Sequence, residues 1–422
     1  MTHDATPALE LAWREHWGRL VALMVGQTAR PDLAEDAVAD AFAAAARTWP
    51  RSGVPASPGA WLLTAARRRA LDVLRTEAVH RRKVPVMVVD ADLRAQAAAT
   101  TDPGAHLADE RLRLIFTCCH PALAPDARVA LTLRFVVGLD VPDLAALLLL
   151  QETTAAARLT RAKKRLATAG IPFVTPPPER LDERLDVVAT VLYLVFTAGY
   201  HPGPRDRGLR VDLGDEAIRL VRLLDAQLPG RAVVRALLAL LLLQHSRRDA
   251  RLDAEGGLVL LPEQDRSLWR RDEIAAGLDV LGSLPPASGL AEEYRLQALV
   301  AAEHATAATP ADTRWTVVAA HYAALEAHTG SPVVRLARAV AVAEAAGPAA
   351  GLALLDGLDE ALPHHHRLPA VRGELLLRLG RRPEAAQAFG RALELVRSDT
   401  ERRHLEARAA AALAEDDADR RA

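Results

Sequence analysis

The chain has 422 residues, with 53 Lys plus Arg against 54 Asp plus Glu and a formal net charge of -1, so no global basic field draws it to nucleic acid and any such contact must come from local patches. Hydrophobic residues make up 50% and aromatic residues 4%; with Ala, Leu and Arg dominant this favours helix over sheet, in two or three domains. The 2 cysteines exclude a disulfide-built domain and a four-thiolate zinc site, no apolar run reaches the roughly 18 residues of a membrane span, and the start Met1-Thr2-His3-Asp4 is not a signal peptide, so a soluble, cytoplasmic, all-α protein without membrane contact is expected.

Residues 9–83 read as helical. In "DLAEDAVADAFAAAARTW" (32–49), Asp32, Asp36 and Asp40 form a stripe at four-residue spacing, while Leu33, Ala37, Ala41 and Ala44 face elsewhere. Such a stripe cannot bind phosphate; it suits a basic protein partner, and by itself it equally suits a solvated face. In "SPGAWLLTAARRRALDVLRTEAVHRRK" (57–83), Ser57 and Pro58 open a helix with Leu62, Ala66, Ala70 and Val73 on its buried side. Trp61, Thr64, Arg68, Asp72 and Arg75 lie opposite, and residues 60–83 carry seven basic side chains against two acidic ones. An outward Trp among arginines can stack an unpaired base beside a phosphate track; Trp61 packed on a neighbouring helix is the other reading.

Residues 84–108, with Pro85, Pro103 and Gly104, read as a linker, and helical pattern returns over 109–170. "GLDVPDLAALLLLQETTAAARLTRAKKRLATAG" (138–170) holds a short helix with Asp140 as N-cap, then a longer one starting at Gln151 or Glu152 and closed by Gly170. Ala155, Leu159, Ala162 and Leu166 share one side of the longer helix; Thr153, Ala157, Thr160, Arg161 and Lys164 point the other way, with Arg158 and Arg165 on a flank. Five basic residues against one acidic over 151–170 make a helix-turn-helix whose second helix offers donors to base edges and cations to phosphate. Pattern alone leaves this level with an amphipathic core helix carrying a solvated basic face.

"IPFVTPPP" (171–178) breaks the pattern, so 171–180 reads as a Pro-rich linker before a helical region over 181–410. Near 314–400, "GPAAGLALL" resembles "GRRPEAAQAF", and Tyr322, Leu355 and Phe389 fall 33 and 34 residues apart, the period of tetratricopeptide helix pairs.

In this order the blocks resemble the extracytoplasmic-function sigma factors of bacterial RNA polymerase. "AEDAVADAFAAAARTWP…SPGAWLLTAARRRALDVLR" resembles sigma region 2 (domain 9–83), "LDVPDLAALLLLQETTAAARLTRAKKRL" resembles region 4 (109–170), and "LIFTCCHPALAPDARVALTLRFVVGL" followed by a long tail is similar to the subfamily with a C-terminal tetratricopeptide-like extension. The resemblance implies a region 2 helical bundle, a region 4 helix-turn-helix and a helical extension. It implies core RNA polymerase and promoter DNA as partners, no cofactor and no catalysis. The helix with Asp32, Asp36, Asp40 and Phe42 would dock on the polymerase; Trp61, Arg67, Arg68, Asp72 and Arg75 would follow the melted −10 strand, beside a loop (51–57) for a flipped base. Thr153, Thr154, Ala157, Arg158, Arg161 and Lys164 would face the −35 duplex. The size of the helical region, more than half the chain, suggests separately that the extension gates activity in place of a separate anti-sigma protein, with a ligand or protein partner the sequence does not name. Ala39, Arg68 and Ala156-Ala157 depart from the family's usual Gln, Asn and Lys-Ser, leaving base readout to Arg158, Arg161 and apolar contacts with thymine methyls. A helix-turn-helix regulator that binds DNA without polymerase is the competing reading.

Cys118-Cys119-His120 lacks the spacing for convergent metal ligation and reads as two core thiols beside a histidine. His364-His365-His366 reads as a polar loop. "YHPGPRDRG" (200–208) lacks the ending of a phosphate loop and reads as a helix connection.

Overall fold

The computed structural model describes residues 5–81, 103–148, 150–171, 173–200, 210–253, 257, 259–396 and 399–414. Among them the chain is helical, without a β-strand, and it divides into two compact units, Met1–Arg231 and Ala232–Ala422.

The first unit opens with α1 (Thr6–Thr28), α2 (Pro31–Ser52) and α3 (Pro58–Arg81), packed on one another. Prolines in the first turns of α2 and α3 sit where a missing N–H leaves no helical bond unmade. Leu33, Ala37 and Ala41 of α2 and Leu62, Ala66 and Ala70 of α3 are buried. Alanines let the helices approach, and Trp17, Trp49 and Phe42 supply the bulk of the core. The expectation that Phe42 faces the polymerase is corrected here: its ring is buried, 4.8 Å from Trp13 and 6.1 Å from Trp17. Four residues after Val38 and three before Ala45, it belongs to the inward side of α2, away from the stripe of aspartates.

The helix α4 (Pro103–Cys118) starts inside the stretch expected to be linker, because Pro103 and Gly104 form a first turn; residues 84–102 lie outside the described residues. α5 (Pro125–Leu131) runs into a π-helical turn, Thr132–Val137, closed by Gly138 at φ 91°. α6 (Val141–Leu147) and α7 (Glu152–Thr168) form the helix-turn-helix. Asp140 caps α6, its Oδ1 accepting the Asp143 N–H at 2.8 Å.

The π-turn is where the helix-turn-helix half meets the α1–α3 bundle. A helix end leaves carbonyls without intrahelical donors. The Trp17 indole N–H donates to the Arg134 carbonyl at 3.0 Å, and that of Trp13 to the Gly138 carbonyl at 3.1 Å. The Arg134 guanidinium lies 5.2 Å from the Trp17 ring centroid and donates from Nε to Glu35 Oε1 of α2. Lys163 of α7 reaches the other oxygen of the same carboxylate, which is only 3% exposed. The backbones fit closely: a Cβ at Gly138 would sit 2.7 Å from the Trp17 ring.

α8 (Pro178–Gly199) and α9 (Val211–Gln227) complete this unit. The compact boundary therefore falls at 231, not at the proline run of 171–180. Three contacts explain the difference: Arg184 donates to the Phe116 carbonyl, Arg111 of α4 pairs with Glu216 of α9 at 3.2 Å, and Arg210 reaches Asp143 of α6 at 3.0 Å. Arg111 is deeply buried, and burial first, then nearby Arg219, bring its pKa down to about 10.

The second unit comprises α10 (Ala232–His245), α11 (Arg271–Gly282), α12 (Gly289–Thr306), α13 (Trp315–Thr329), α14 (Pro332–Ala346), the short α15 (Pro348–Ala353) and α16 (Leu358–Ala361), α17 (Arg367–Arg378), α18 (Arg382–Leu395) and α19 (Asp399–Ala414). Tight turns join α13 to α14 and α17 to α18, and each pair packs side by side. The three positions spaced near 34 residues fall in successive cores: Tyr322 against Val300, Val318 and Ala341, Leu355 with Leu336 and Leu368, and Phe389 with Leu376 and Leu405.

Two outcomes follow from the first unit. Trp17→Ala removes a fully buried ring and a hydrogen bond, and is expected to cost about 3–5 kcal/mol of that unit's stability in chemical denaturation. A chain ended after Arg231 should retain a cooperative transition, whereas one ended at Thr175 removes Glu216 from beside Arg111 and should lose it.

Candidate nucleic-acid interface

Three helix faces of the first unit carry the expected site residues. On α7 the sorting is clean. Ala155, Leu159, Ala162 and Leu166 are buried, while Thr153, Thr154, Ala157, Arg161 and Lys164 are exposed. Thr153 and Thr154 lie in the first turn, the end of a recognition helix that meets base edges. Arg158 is half-buried, its Nε 3.4 Å from Asp126 of α5, and Lys163 turns to the opposite flank toward Glu35.

On α3, Arg68 and Asp72 are exposed, and so is Arg75, which lies 3.9 Å from Asp72. Trp61 is half-buried and packs against the sealed Trp49, ring centroids 5.8 Å apart and 67° between the planes, with the rest of its ring accessible. Arg67 turns toward α1, where its Nε donates to Gln27 Oε1 at 3.1 Å, and partial burial pulls its pKa below the usual arginine value. Within the loop between α2 and α3, Val54 is exposed and Gly53 adopts φ 84°.

On α2, Asp32, Asp36 and Asp40 are exposed. Asp32 pairs with Arg30 at 3.2 Å and Asp40 with Arg69 of α3 at 2.5 Å. Asp36 makes no ion pair among the described residues; partial burial, then the neighbouring Glu35 carboxylate, raise its pKa.

The cluster that sequence reading missed is Glu35 with Arg134 and Lys163. A signal was present: Glu35 stands three residues before Val38 and seven before Phe42, a charge on the apolar side of α2. Its partners lie 99 and 128 residues away, beyond any periodic pattern.

Cys118 and Cys119 are both fully buried; burial holds both thiols well above their ordinary pKa, that of Cys119 at about 11. Among the described residues no group of three or more His, Cys, Asp or Glu could hold a metal ion, and no helix is long and apolar enough to cross a membrane. His366 pairs with Glu401 at 3.3 Å. Residues 201–208 of the loop after Tyr200 lie outside the described residues. The second unit holds a cleft of about 460 Å³, lined by Leu362, Leu368, Leu376 and Ala388 and by Arg372, whose guanidinium is taken by Asp359.

Residues 12–79 match the family described as Sigma-70 region 2, residues 113–166 match Sigma-70, region 4, and residues 184–284 match a family of unknown function, DUF6596. An uncharacterized protein, R00370, of Rhizobium meliloti (strain 1021) is 43% identical over 371 residues, covering 88% of each chain. The crystal structure of the P58(IPK) TPR domain aligns over 90% of this chain and 99% of its own at 12% identity, with a TM-score of 0.26. The chain belongs to the sigma-70 family, in the extracytoplasmic-function type that carries a C-terminal helical extension. Its role is promoter recognition, and the family points to a non-enzymatic transcription factor.

The acidic face has a measurable signature. Because Asp36 titrates at a raised pKa when folded, its ionised form opposes folding, and stability falls as pH rises through that value. Asp36→Asn should raise the melting temperature at pH 7. The gain should shrink as pH falls from that raised value toward about 4 and be absent below it, where the carboxyl is protonated folded and unfolded alike; an unchanged melting temperature at pH 7 contradicts the penalty on the ionised carboxylate.

Proposed function

We propose that this chain binds core RNA polymerase through the acidic face of α2, lays α3 along the melted −10 strand and reads the −35 duplex with α7, while the second unit modulates the output. The observation that carries the reading is the sorting of α7: every apolar residue of its inner stripe is buried, and Thr153, Thr154, Ala157, Arg161 and Lys164 are left to solvent on a helix of net basic charge. A major groove about 12 Å wide accepts one such helix. With alanines at 156 and 157, direct readout rests on the two threonines, Arg161 and methyl contacts, and Arg158 contributes once it exchanges Asp126 for phosphate.

The −10 surface fits the same logic. Arg68 and Arg75 offer cations on the exposed side of α3, and Trp61 presents an aromatic edge beside them. Arg67 supports this surface by bracing α3 on α1. Two local patches on a chain of net charge -1 give weak DNA affinity alone, which suits a subunit that meets promoters in the company of polymerase.

The test is co-purification with core polymerase followed by run-off transcription from a cognate promoter. The chain should be retained by core and direct starts at one position; absence of both contradicts the reading. In the holoenzyme, Lys164→Ala should weaken binding about equally across promoter sequences and reduce the salt slope by about 0.9 if it meets one phosphate. Arg161→Ala should cost about 1–3 kcal/mol and relax preference at one −35 position. Modulation by the second unit is read by comparing the full chain with one ended after Arg231, and equal output from both removes that part.

A further inference from the structure

We infer that Glu35 is a shared anionic site: region 4 holds it in the free chain, and a basic surface of core polymerase takes it over in the holoenzyme. This rests on the sigma-factor reading above and adds to it a closed state and the means of opening it.

The first ground is distance. Arg69 of α3 pairs with Asp40 of α2, and Lys163 of α7 pairs with Glu35 of the same helix, five residues earlier. At about 1.5 Å per residue these anchor points are roughly 7.5 Å apart along α2. Packed helix axes lie about 8–10 Å apart, so where they meet α2 the axes of α3 and α7 are within roughly 20 Å of each other across it. Elements centred near −10 and −35 are separated by roughly 25 base pairs, about 85 Å at 3.4 Å per step. While Lys163 holds Glu35, the helices proposed for the two elements cannot reach both.

The second ground is chemistry. Glu35 is 3% exposed, with Arg134 at 14% and Lys163 at 25% on its two oxygens. A carboxylate so enclosed depends on its cations. Arg134 itself is tied into region 4 by donating Nη1–H to the Leu139 carbonyl at 2.8 Å, while its guanidinium reaches across to the Trp17 ring of α1. When region 4 departs, both cations leave with it.

The third ground is location. Glu35 lies between Asp32 and Asp36 on α2, and Asp36 already titrates at a raised pKa among these acids. Departure of region 4 would uncover a fourth carboxylate beside Asp32, Asp36 and Asp40. A partner that brings cations to this face both compensates Glu35 and takes the place of Lys163. Binding of core and release of region 4 are then one exchange, in which the partner shifts the balance by its preference for the open form.

The experiment uses the full chain labelled with spin probes at Leu11→Cys on α1 and Ala167→Cys on α7, both exposed, whereas the native cysteines are buried. Pulsed resonance distances are read for the chain alone and with core polymerase, and core affinity is measured alongside. The free chain should give one short separation, replaced by one several tens of Å longer with core. Lys163→Gln should populate the long separation without core and tighten core binding, because it loosens the closed state and leaves α2 intact. Glu35→Gln should also open the free chain but weaken core binding, about tenfold relative to Lys163→Gln. A short separation that persists in the holoenzyme, or substitutions that change neither distance nor affinity in a chain with wild-type helicity, would overturn the inference. If wild type fails to bind core at all, the polymerase reading and the takeover of Glu35 fall together, whereas the free-chain distances still decide whether Glu35 holds the closed state.

Discussion

Polar groups buried at one seam organise the first unit. A sealed indole N–H and a half-buried one on α1, with one buried carboxylate of α2, find the Arg134 carbonyl, the Gly138 carbonyl and the Arg134 and Lys163 cations. Shape enforces the same match, because a side chain at Gly138 would collide with Trp17. A seam built from paired polar groups differs from an apolar one in how it parts: each group released must be satisfied again. That makes the junction of regions 2 and 4 sensitive to charged partners.

The helices α8 and α9 extend this body beyond the helix-turn-helix. Arg111 is surrounded by Glu216 and Arg219, and Arg210 bridges Asp143 and Asp212, so the start of the extension braces both α4 and α6. The residues matching DUF6596, 184–284, span the boundary between the two compact units. The extension is therefore two things in structural terms: a pair of helices belonging to the promoter-recognising body, and a separate unit of stacked helices. Regulation carried by the second would be misread in a chain cut at the proline run, because that cut also removes Glu216.

Local chemistry was legible in the sequence. Pro58 opens α3, Asp140 caps α6, and the inner stripe of α7 is buried residue for residue, because helix starts and 3.6-residue periodicity depend on neighbours in the chain. What escaped depends on tertiary pairing. Phe42 stands two residues from Asp40, yet the rotation of α2 sends it to Trp13. Pro103 and Gly104 look like linker residues and serve as a helix start. The proline run of 171–178 ends a helix but not a compact unit, since the contacts that cross it join residues 67 to 105 positions apart. Glu35 was overlooked because only the other half of the unit supplies its cations.

Promoter reading by a polymerase subunit is tested most directly by footprinting the full chain on its own promoter at physiological salt, with and without core polymerase. Protection of both the −35 and −10 elements, appearing only with core and accompanied by strand opening near −10, is the result expected of two modest basic surfaces held by a polymerase-bound body. Protection of a single duplex site by the chain alone, unchanged when core is added, would contradict it.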